Sequence, residues 1–422
     1  MLIKQFKKDY ISYSLGVLIP AAVNFLTIPF FKNILGLHNF GIYSFYFSLL
    51  IIITSSFSGG IGQSIIRLHV EYKEVKVFYY NCLWIISFAT FLMFIPLFIY
   101  LQNSRDSVLF SILFLFSLLL SNLYTGLLGI TQSNFKAASS AFAECIRTIT
   151  FLVLSVCILV WLPSKNFLFV IFTSLSASFS LASFYLFYKN KLSFIGFLAN
   201  SDLEEAWATV IQIKKYGGYL IIWFFLSYGV SMANRFVLAA IYGKENIGHF
   251  TASFDILYKS ITLVLSPIVV SLFPIIVKAS LAGNHTEVRR LIKKLSFIEL
   301  ALLFVAVAFF YLIGFGILSN IIRTPETSEY LIIDIQVIAG SFLWQIAIIQ
   351  HKFFELQKRT LNMVFYIAIA FLLSILTDVA VISHFGIRYA GMGFCIGAMV
   401  YLLLIIYNKK NVLGLSKTEI SY

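Results

Sequence analysis

Residues 234–259 read Asn234-Arg235-Phe-Val-Leu-Ala-Ala-Ile-Tyr-Gly243-Lys-Glu-Asn246-Ile-Gly248-His-Phe-Thr-Ala-Ser-Phe-Asp255-Ile-Leu-Tyr-Lys259. Two strongly apolar segments are joined here by a short turn that is rich in Gly and Asn, and three charges, Arg235, Asp255 and Lys259, lie inside the apolar segments. A charge at the centre of a bilayer costs about 2.5–3.5 kcal/mol, so such residues usually face an interior cavity or a partner. The stretch therefore predicts a pair of membrane helices that carry polar groups.

A weaker copy of the same stretch occurs in the first half of the chain, at Asn33-Ile-Leu-Gly36-Leu-His-Asn39-Phe-Gly41-Ile-Tyr43. Its Gly-x-x-Asn-x-Gly pattern recurs from Gly243, at an offset of 207 that is close to half of the 422-residue chain. A repeat at such an offset indicates a duplicated membrane protein. We therefore predict two related halves with a polar centre between them.

The composition excludes a soluble domain. The chain is 60% hydrophobic and 12% charged, with a mean hydropathy of +0.92, and no soluble domain of this length hides so much apolar surface. The four cysteines lie in apolar runs without a Cys-x-x-Cys pair, which favours packing over metal or redox chemistry. We expect neither a metal nor a cofactor.

Apolar runs of about 20 residues can each cross a ~30 Å hydrocarbon core. The sequence predicts twelve such spans, at 10–31, 40–66, 78–101, 107–131, 138–162, 167–188, 216–242, 246–277, 295–318, 330–350, 361–384 and 389–408. These spans predict an all-α polytopic fold with a six-helix bundle at 1–188, a linker at 189–215 and a second six-helix bundle with a basic tail at 216–422.

The distribution of Lys and Arg predicts the orientation of the spans. Of the 31 basic residues, 22 lie at the N-terminus, in every second connection and in the tail, and the alternate connections hold 6. Because Lys and Arg concentrate on the cytoplasmic side, both termini are predicted to be cytoplasmic. The net charge of +13 is thus explained by topology and does not indicate a nucleic-acid partner.

Two predicted cytoplasmic connections are amphipathic. Ser201-Asp-Leu-Glu204 has the pattern of a capping box and predicts a short helix that ends near Lys214 and Lys215. Asn284 predicts the cap of a second helix, with basic residues at Arg289, Arg290, Lys293 and Lys294. Both would lie on the anionic leaflet, either as plain anchors or in direct contact with the head groups of membrane lipids.

Six charged residues within the spans are candidates for the functional site. Glu144 and Arg147 are three residues apart and Asp255 and Lys259 are four apart, so each pair shares a helix face. Arg235 has no carboxylate three or four residues away, and Asp378 lies toward the outer end of the eleventh span. They are either structural ion pairs or the lining of a path for a charged substrate, and Arg suits a phosphate because its fork donates two parallel hydrogen bonds.

No catalytic motif accompanies these charges. The sequence lacks a GxxxxGK[ST] phosphate loop, an HExxH motif and a GxSxG elbow. The predicted outer connections are too short for an extracellular domain. We therefore expect no catalytic residues and do not predict an enzyme.

The turn patterns resemble a known family. Leu35-Gly36-x-x-Asn39-Phe40-Gly41-Ile42-Tyr43, followed by an apolar helix that ends Gly62-x-x-x-Ile66-Arg67, is similar to the start of Wzx-type polysaccharide repeat-unit (O-antigen) flippases. Arg235-Phe-Val-Leu-x-x-x-Tyr242-Gly243-x-x-x-Ile247-Gly248-x-Phe250-x-x-x-Phe-Asp255 resembles their seventh-to-eighth helix region. The resemblance covers the whole chain and extends to the multidrug/oligosaccharidyl-lipid/polysaccharide exporter superfamily, which includes the MATE antiporters.

The resemblance implies a flippase of the bacterial inner membrane, with a polyprenyl-diphosphate-linked oligosaccharide as its substrate and polysaccharide polymerase machinery as a further partner. It also implies that Arg147, Arg235 and Lys259 are cavity cations. Glu144, Asp255 and Asp378 would be counter-charges or groups that couple transport to H⁺ or Na⁺.

Two other functions stay open. A MATE-like antiporter of cations or drugs would have the same fold, and isolated acids in an otherwise neutral cavity would favour it. A polytopic polysaccharide polymerase or acyltransferase usually needs catalytic residues on a sizeable extramembrane loop, which the short outer connections do not provide.

Overall fold

The structure is a computed structural model that describes residues 2–69, 72, 74–103, 106–134, 136–161, 166–199, 203–281, 284–323, 327–356 and 359–415. Its α-helices are α1 (Leu2–Leu68), α2 (Val75–Leu92), α3 (Phe94–Asn103), α4 (Val108–Ser133), α5 (Ala137–Trp161), α6 (Phe167–Lys189), α7 (Phe194–Ala199), α8 (Leu203–Tyr242), α9 (Gly248–Leu281), α10 (His285–Phe309), α11 (Phe315–Ile322), α12 (Ser328–Leu356), α13 (Thr360–Phe385) and α14 (Met392–Leu415). The described residues contain no strand, which confirms the predicted all-α fold.

Ten stretches of the described residues are long and apolar enough to cross a membrane. The first, Ile19–Leu68, is 50 residues long and contains part of the first predicted span and all of the second. The eighth predicted span lies in the 34-residue helix α9. The twelve predicted spans therefore all fall on helices, and the protein is a multi-pass membrane protein.

Helix α1 is interrupted at the first of the two repeated turns. Gly36 has φ 75° and ψ 165°, outside the helical region, so the helix bends there. A side chain is rarely tolerated at such a φ, which explains the glycine. Its counterpart Gly243 has φ 88° and separates α8 from the 3₁₀ turn Lys244–Ile247 that leads into α9.

The predicted amphipathic helices do not end before the membrane. Helix α8 continues from Leu203 to Tyr242 without a break, so the predicted end near Lys214 is wrong. Gly217 does not stop it, because it packs closely against Gly60 and Ser64 of α1 instead of adopting a left-handed conformation. Of the predicted capping box, Ser201 lies outside the described residues.

The second predicted cap is confirmed. The Asn284 side chain accepts a hydrogen bond from the Glu287 backbone N–H at 3.2 Å, and α10 then runs on to Phe309. Val288 and Ile292 are buried against Ile276 and Ile349, whereas the basic residues Arg289, Arg290, Lys293 and Lys294 are exposed. The helix start is therefore amphipathic, as predicted.

Packing divides the chain into two compact units. The first consists of Met1–Leu35 and Tyr46–Phe225, and the second of Gly36–Phe45 and Leu226–Tyr422. The short segment Gly36–Phe45, which holds the first repeated turn, thus packs in the second unit. The predicted division at 189–215 remains a prediction about the duplicated halves.

The two repeated turns contact each other within the second unit. A Cβ atom at Gly41 would lie 2.6 Å from the carbonyl oxygen of Lys244 and 3.0 Å from the backbone nitrogen of Gly248. Reciprocally, a Cβ at Gly248 would collide with the carbonyl oxygen of Leu37. Because Lys244 and Gly248 are the repeat counterparts of Leu37 and Gly41, the contact has the two-fold character expected of a duplicated motif.

We expect Gly248→Ala to destabilise the protein, because the new methyl group would push the two backbones apart at a cost of about 1–3 kcal/mol. The matched control is Gly218→Ala in α8, where a Cβ would meet nothing within 4 Å. Ala favours a helix by about 1 kcal/mol over Gly, so this control should unfold at a slightly higher temperature. Thermal unfolding of the purified protein in detergent measures both, and equal behaviour of the two variants would contradict the contact.

Candidate functional site

The first group of charges lies in the second unit, where α8 and α9 pack together. Arg235 is 1% exposed, and its Nη2 forms an ion pair with Oδ1 of Asp255. Its Nη1 donates to Oγ of Ser44 at 3.5 Å, and its guanidinium carbon lies 5.2 Å from the centre of the Phe254 ring. The turn between the two helices makes this pairing possible, because it brings residues 20 positions apart to the same depth.

Asp255 also holds the third charge. Nζ of Lys259 lies 3.7 Å from Oδ2 of Asp255, as the spacing of four residues predicted. The Lys259 side chain is 39% exposed, whereas the Asp255 side chain is 13% exposed. One carboxylate is therefore shared by a buried guanidinium and an accessible ammonium, and the group keeps one positive charge in excess.

The structure corrects the sequence argument about Arg235. No carboxylate lies three or four residues away in the sequence, but the partner is Asp255 on the next helix. Only the prediction of a helical hairpin with the correct register would have identified it. Neutralisation by a neighbouring helix is what a buried charge in a membrane requires.

The second group lies in the first unit, on α5. Arg147 Nη2 and Nε donate to the same Glu144 oxygen, Oε2, at 2.8 and 3.0 Å, so the predicted pair forms. The guanidinium carbon lies 5.6 Å from the centre of the Phe179 ring and 5.9 Å from that of Tyr124. With side chains 17% and 29% exposed, Arg147 and Glu144 form a neutral pair that is less buried than Arg235.

Asp378 lies in the second unit against α14. It is fully buried, and its Oδ1 accepts a hydrogen bond from the Gly393 backbone N–H at 3.0 Å. A Cβ at Gly393 would collide with the carboxylate, so the glycine permits this close approach. Within the described part of the chain, Oδ2 of Asp378 has no hydrogen-bond partner.

Sequence reasoning missed the buried amide of Asn234 on α8. Gly397 of α14 packs against Val230 of α8 and Ser374 of α13, and Asn234 and Asp378 each lie one helical turn further along these two helices. The side-chain oxygen and nitrogen of Asn234 are buried without a hydrogen-bond partner among the described residues. An amide inside an apolar span was the available signal.

Two further acids are more buried than the sequence indicated. Asp334 on α12 is 1% exposed and Glu299 on α10 is fully buried, although both lie near the ends of their predicted spans. Oδ1 of Asp334 has no partner within the described ranges. Together with Asp378, they give the second unit three deeply buried carboxylates.

The interior of the first unit also holds a network of uncharged polar side chains. Ser58 donates to Oδ1 of Asn122 at 2.6 Å, and Nδ2 of Asn122 donates to Oγ1 of Thr90 at 2.9 Å. Thr54 and Ser121 are hydrogen-bonded at 2.7 Å. This network joins α1, α2 and α4. The described residues contain no group of three or more His, Cys, Asp or Glu side chains that could hold a metal ion.

An apolar groove lies between α8 and α13 in the second unit. It encloses about 410 Å³ and is lined by Phe236, Val237, Ala240, Ile241, Val379 and Ser383. Phe236 follows Arg235 in the chain and Val379 follows Asp378. The groove is therefore adjacent in sequence to two of the candidate charges.

Several solved structures have the same fold as this chain. The Vibrio cholerae MATE transporter VcmN, a point mutant, is 12% identical with a TM-score of 0.68, and the match covers 97% of each chain. An inward-facing MATE-family multidrug resistance transporter of the MOP superfamily is 13% identical with a TM-score of 0.69, over 96% of this chain and 99% of that one. A Pyrococcus furiosus transporter of that superfamily, whose binding pocket is described as having reverse polarity, is 14% identical with a TM-score of 0.59, over 98% and 97%.

The fold defines a multi-pass membrane protein with the MATE fold. The sequence profile of the family described as "Polysaccharide biosynthesis protein" matches residues 6–280, which is more than half of the chain. The protein belongs to this family, as the Wzx-like turn patterns predicted. None of the curated proteins compared with the chain matches it.

We expect Asp255→Ala to destabilise the protein strongly, because removing one partner of a buried ion pair leaves an uncompensated charge at a cost of about 3–5 kcal/mol. Glu144→Ala is the matched control, since its pair is more exposed and should contribute less. Thermal unfolding of both variants in detergent provides the comparison. A smaller loss of stability for Asp255→Ala than for Glu144→Ala would contradict this assignment.

Proposed function

We propose that the protein is a flippase for polyprenyl-diphosphate-linked oligosaccharide repeat units. It would move them by alternating access from the cytoplasmic to the outer face of the bacterial inner membrane, for the synthesis of O-antigen, lipopolysaccharide or capsule. Both termini would be cytoplasmic. The duplicated halves 1–188 and 216–422, joined by 189–215, would be the two parts that move.

The observation that carries this proposal is the excess positive charge of the Arg235–Asp255–Lys259 group. Asp255 is already paired with Arg235. The ammonium of Lys259, whose Nζ lies 3.7 Å from Oδ2 of Asp255, is therefore only partly neutralised. A diphosphate is a polyvalent anion and would gain charge-assisted hydrogen bonds from such a cation. Lys259 would contact the diphosphate first. Arg235 and Arg147 are the other two cations that we propose to bind the substrate.

The apolar groove between α8 and α13 supports a substrate with a lipid tail. Its lining offers hydrocarbon from Phe236 to Ile241 on one side and Val379 on the other, with Ser383 as its one polar side chain. An isoprenoid chain could lie there at little cost in desolvation. The family description, polysaccharide biosynthesis protein, supports a glycan as the other end of the substrate.

The role of Lys259 can be tested by Lys259→Ala and Arg147→Ala in the native host. We expect both variants to stop the export of surface glycan while the protein still reaches the membrane, because each removes a cation from the proposed path. Lys294→Ala, which removes an exposed charge from α10, is the matched control and should export normally. Surface polysaccharide measured by lectin binding is the readout, and normal levels in both test variants would contradict the assigned role.

A MATE-like antiporter of cations or drugs is the second candidate, because the second unit contains the buried acids Asp334 and Asp378. We assign Asp378 instead to the coupling of transport with H⁺ or Na⁺. Its second oxygen and the Asn234 amide have no protein partner in the described ranges, and such groups suit a proton or a small cation. Glu144 and Asp255 remain counter-charges in this scheme.

Asp378→Asn should abolish the dependence of transport on an ion gradient, because the amide cannot exchange a proton or neutralise a cation. The oxygen of the new side-chain amide can still accept the hydrogen bond from the Gly393 N–H, so the fold should persist. Asp334→Asn is the matched control for a buried acid on another helix. Transport in proteoliposomes, with and without imposed H⁺ and Na⁺ gradients, gives the measurement. Unchanged gradient dependence in Asp378→Asn would remove this residue from coupling.

A further inference from the structure

Three lysines come together in the first unit at the end of α6. Nζ of Lys136, in the connection between α4 and α5, donates to the carbonyl oxygen of Lys189 at 2.8 Å and lies 3.4 Å from Oδ1 of Asn190. Asn190 is itself held by Thr131, to which its Nδ2 donates at 2.7 Å. These hydrogen bonds hold the α4–α5 connection against the end of α6, so that Lys136, Lys189 and Lys191 are neighbours.

The three ammonium groups repel one another. Partial burial and the positive charges of Lys191 and Lys189 lower the pKa of Lys136 from its usual value. Across the described residues, no carboxylate forms an ion pair with any of the three lysines. A bound anion would relieve this repulsion.

Lys191 occupies a position where a glycine is usual. It follows the end of α6 with φ 55°, and its N–H donates to the carbonyl of Tyr188 at 3.1 Å while that of Leu192 donates to Phe187 at 3.0 Å. This is the left-handed helix ending that favours Gly. A lysine held in this strained conformation indicates that its side chain serves another purpose.

Two tyrosines flank the cluster. Nζ of Lys189 lies 5.7 Å from the centre of the Tyr185 ring and 5.9 Å from that of Tyr188, and Tyr188 is 74% exposed. Tyrosines concentrate at the depth of the lipid head groups, where phosphates lie. The cluster ends the span Phe167–Lys189, on the side that the Lys and Arg distribution predicts to be cytoplasmic.

We propose that Lys136, Lys189 and Lys191 form a loading site for the diphosphate of the lipid-linked substrate at the cytoplasmic surface. The inference rests on the proposed function and adds a first binding step to it. A diphosphate carries more charge than the single phosphate of an ordinary phospholipid, so several lysines favour it. From here Arg147 is the next cation along α5, about 16 Å further on at 1.5 Å per residue.

The test variant is Lys191→Gly, because it separates a structural role from a binding role. Glycine relieves the left-handed strain, so the purified protein should unfold at a higher temperature. The binding affinity for a polyprenyl diphosphate without sugar is measured by native mass spectrometry in detergent. At about 1 kcal/mol per lysine, it should fall roughly fivefold in Lys191→Gly and roughly 25-fold in Lys189→Gln/Lys191→Gly. Lys191→Arg should bind normally.

Two controls make the outcome decisive. Lys293→Gln/Lys294→Gln removes the same charge from another exposed basic segment and should leave binding unchanged. Phosphatidylglycerol is the probe for an ordinary anionic lipid, and the affinity of the protein for it should fall little in any variant. Three results would each overturn the inference. They are unchanged diphosphate binding in Lys189→Gln/Lys191→Gly, an equal loss of diphosphate affinity in the α10 control, and an equal loss of phosphatidylglycerol affinity in Lys189→Gln/Lys191→Gly. If one of these results occurs but the wild-type protein still binds and translocates the lipid-linked oligosaccharide, only the loading site is wrong and the proposed function stands. If the wild-type protein neither binds nor translocates it, both the loading site and the proposed function are wrong.

Discussion

The ion pair between Arg235 and Asp255 is the interaction on which the second unit depends. Helices α8 and α9 each carry a charge that would be costly alone in a membrane, and pairing them at the level of Ser44 and Phe254 offsets part of that cost. The same carboxylate reaches Lys259. Structural stability and a residual positive charge thus come from one acid shared by two bases.

The duplicated turn explains why those residues meet. Gly243 allows the chain to leave α8 with a positive φ, and Gly248 allows the backbone of the first copy to approach at Leu37. A side chain at Gly243 would be strained by its positive φ, and one at Gly248 would collide with the carbonyl oxygen of Leu37. The glycines of the repeat are therefore tied to the geometry of the charged group, although none of them carries a charge.

Much of the fold was predictable, because membrane spans depend on local composition and the positions of all twelve predicted segments fall on helices. The pairs Glu144–Arg147 and Asp255–Lys259 were predictable because residues three or four apart share a helix face. The partner of Arg235 was not, since contact between two helices depends on their register. The burial of Glu299 and Asp334, and the uninterrupted course of α8 through Gly217, likewise depend on packing with other helices that periodicity does not encode.

The two units differ in the chemistry of their interiors. The first holds an uncharged network around Asn122 besides its Glu144–Arg147 pair, and the second holds the buried acids Asp334 and Asp378 and the Arg235 group. These buried acids are the reason why we propose ion coupling in the second unit. The most direct test of the central claim is transport in proteoliposomes, with a glycosidase added outside to detect translocated sugar. We expect a polyprenyl-diphosphate-linked oligosaccharide to become accessible to the glycosidase at a rate set by the amount of protein. Exchange of a cationic drug for H⁺ or Na⁺, with no access to the oligosaccharide, would contradict it.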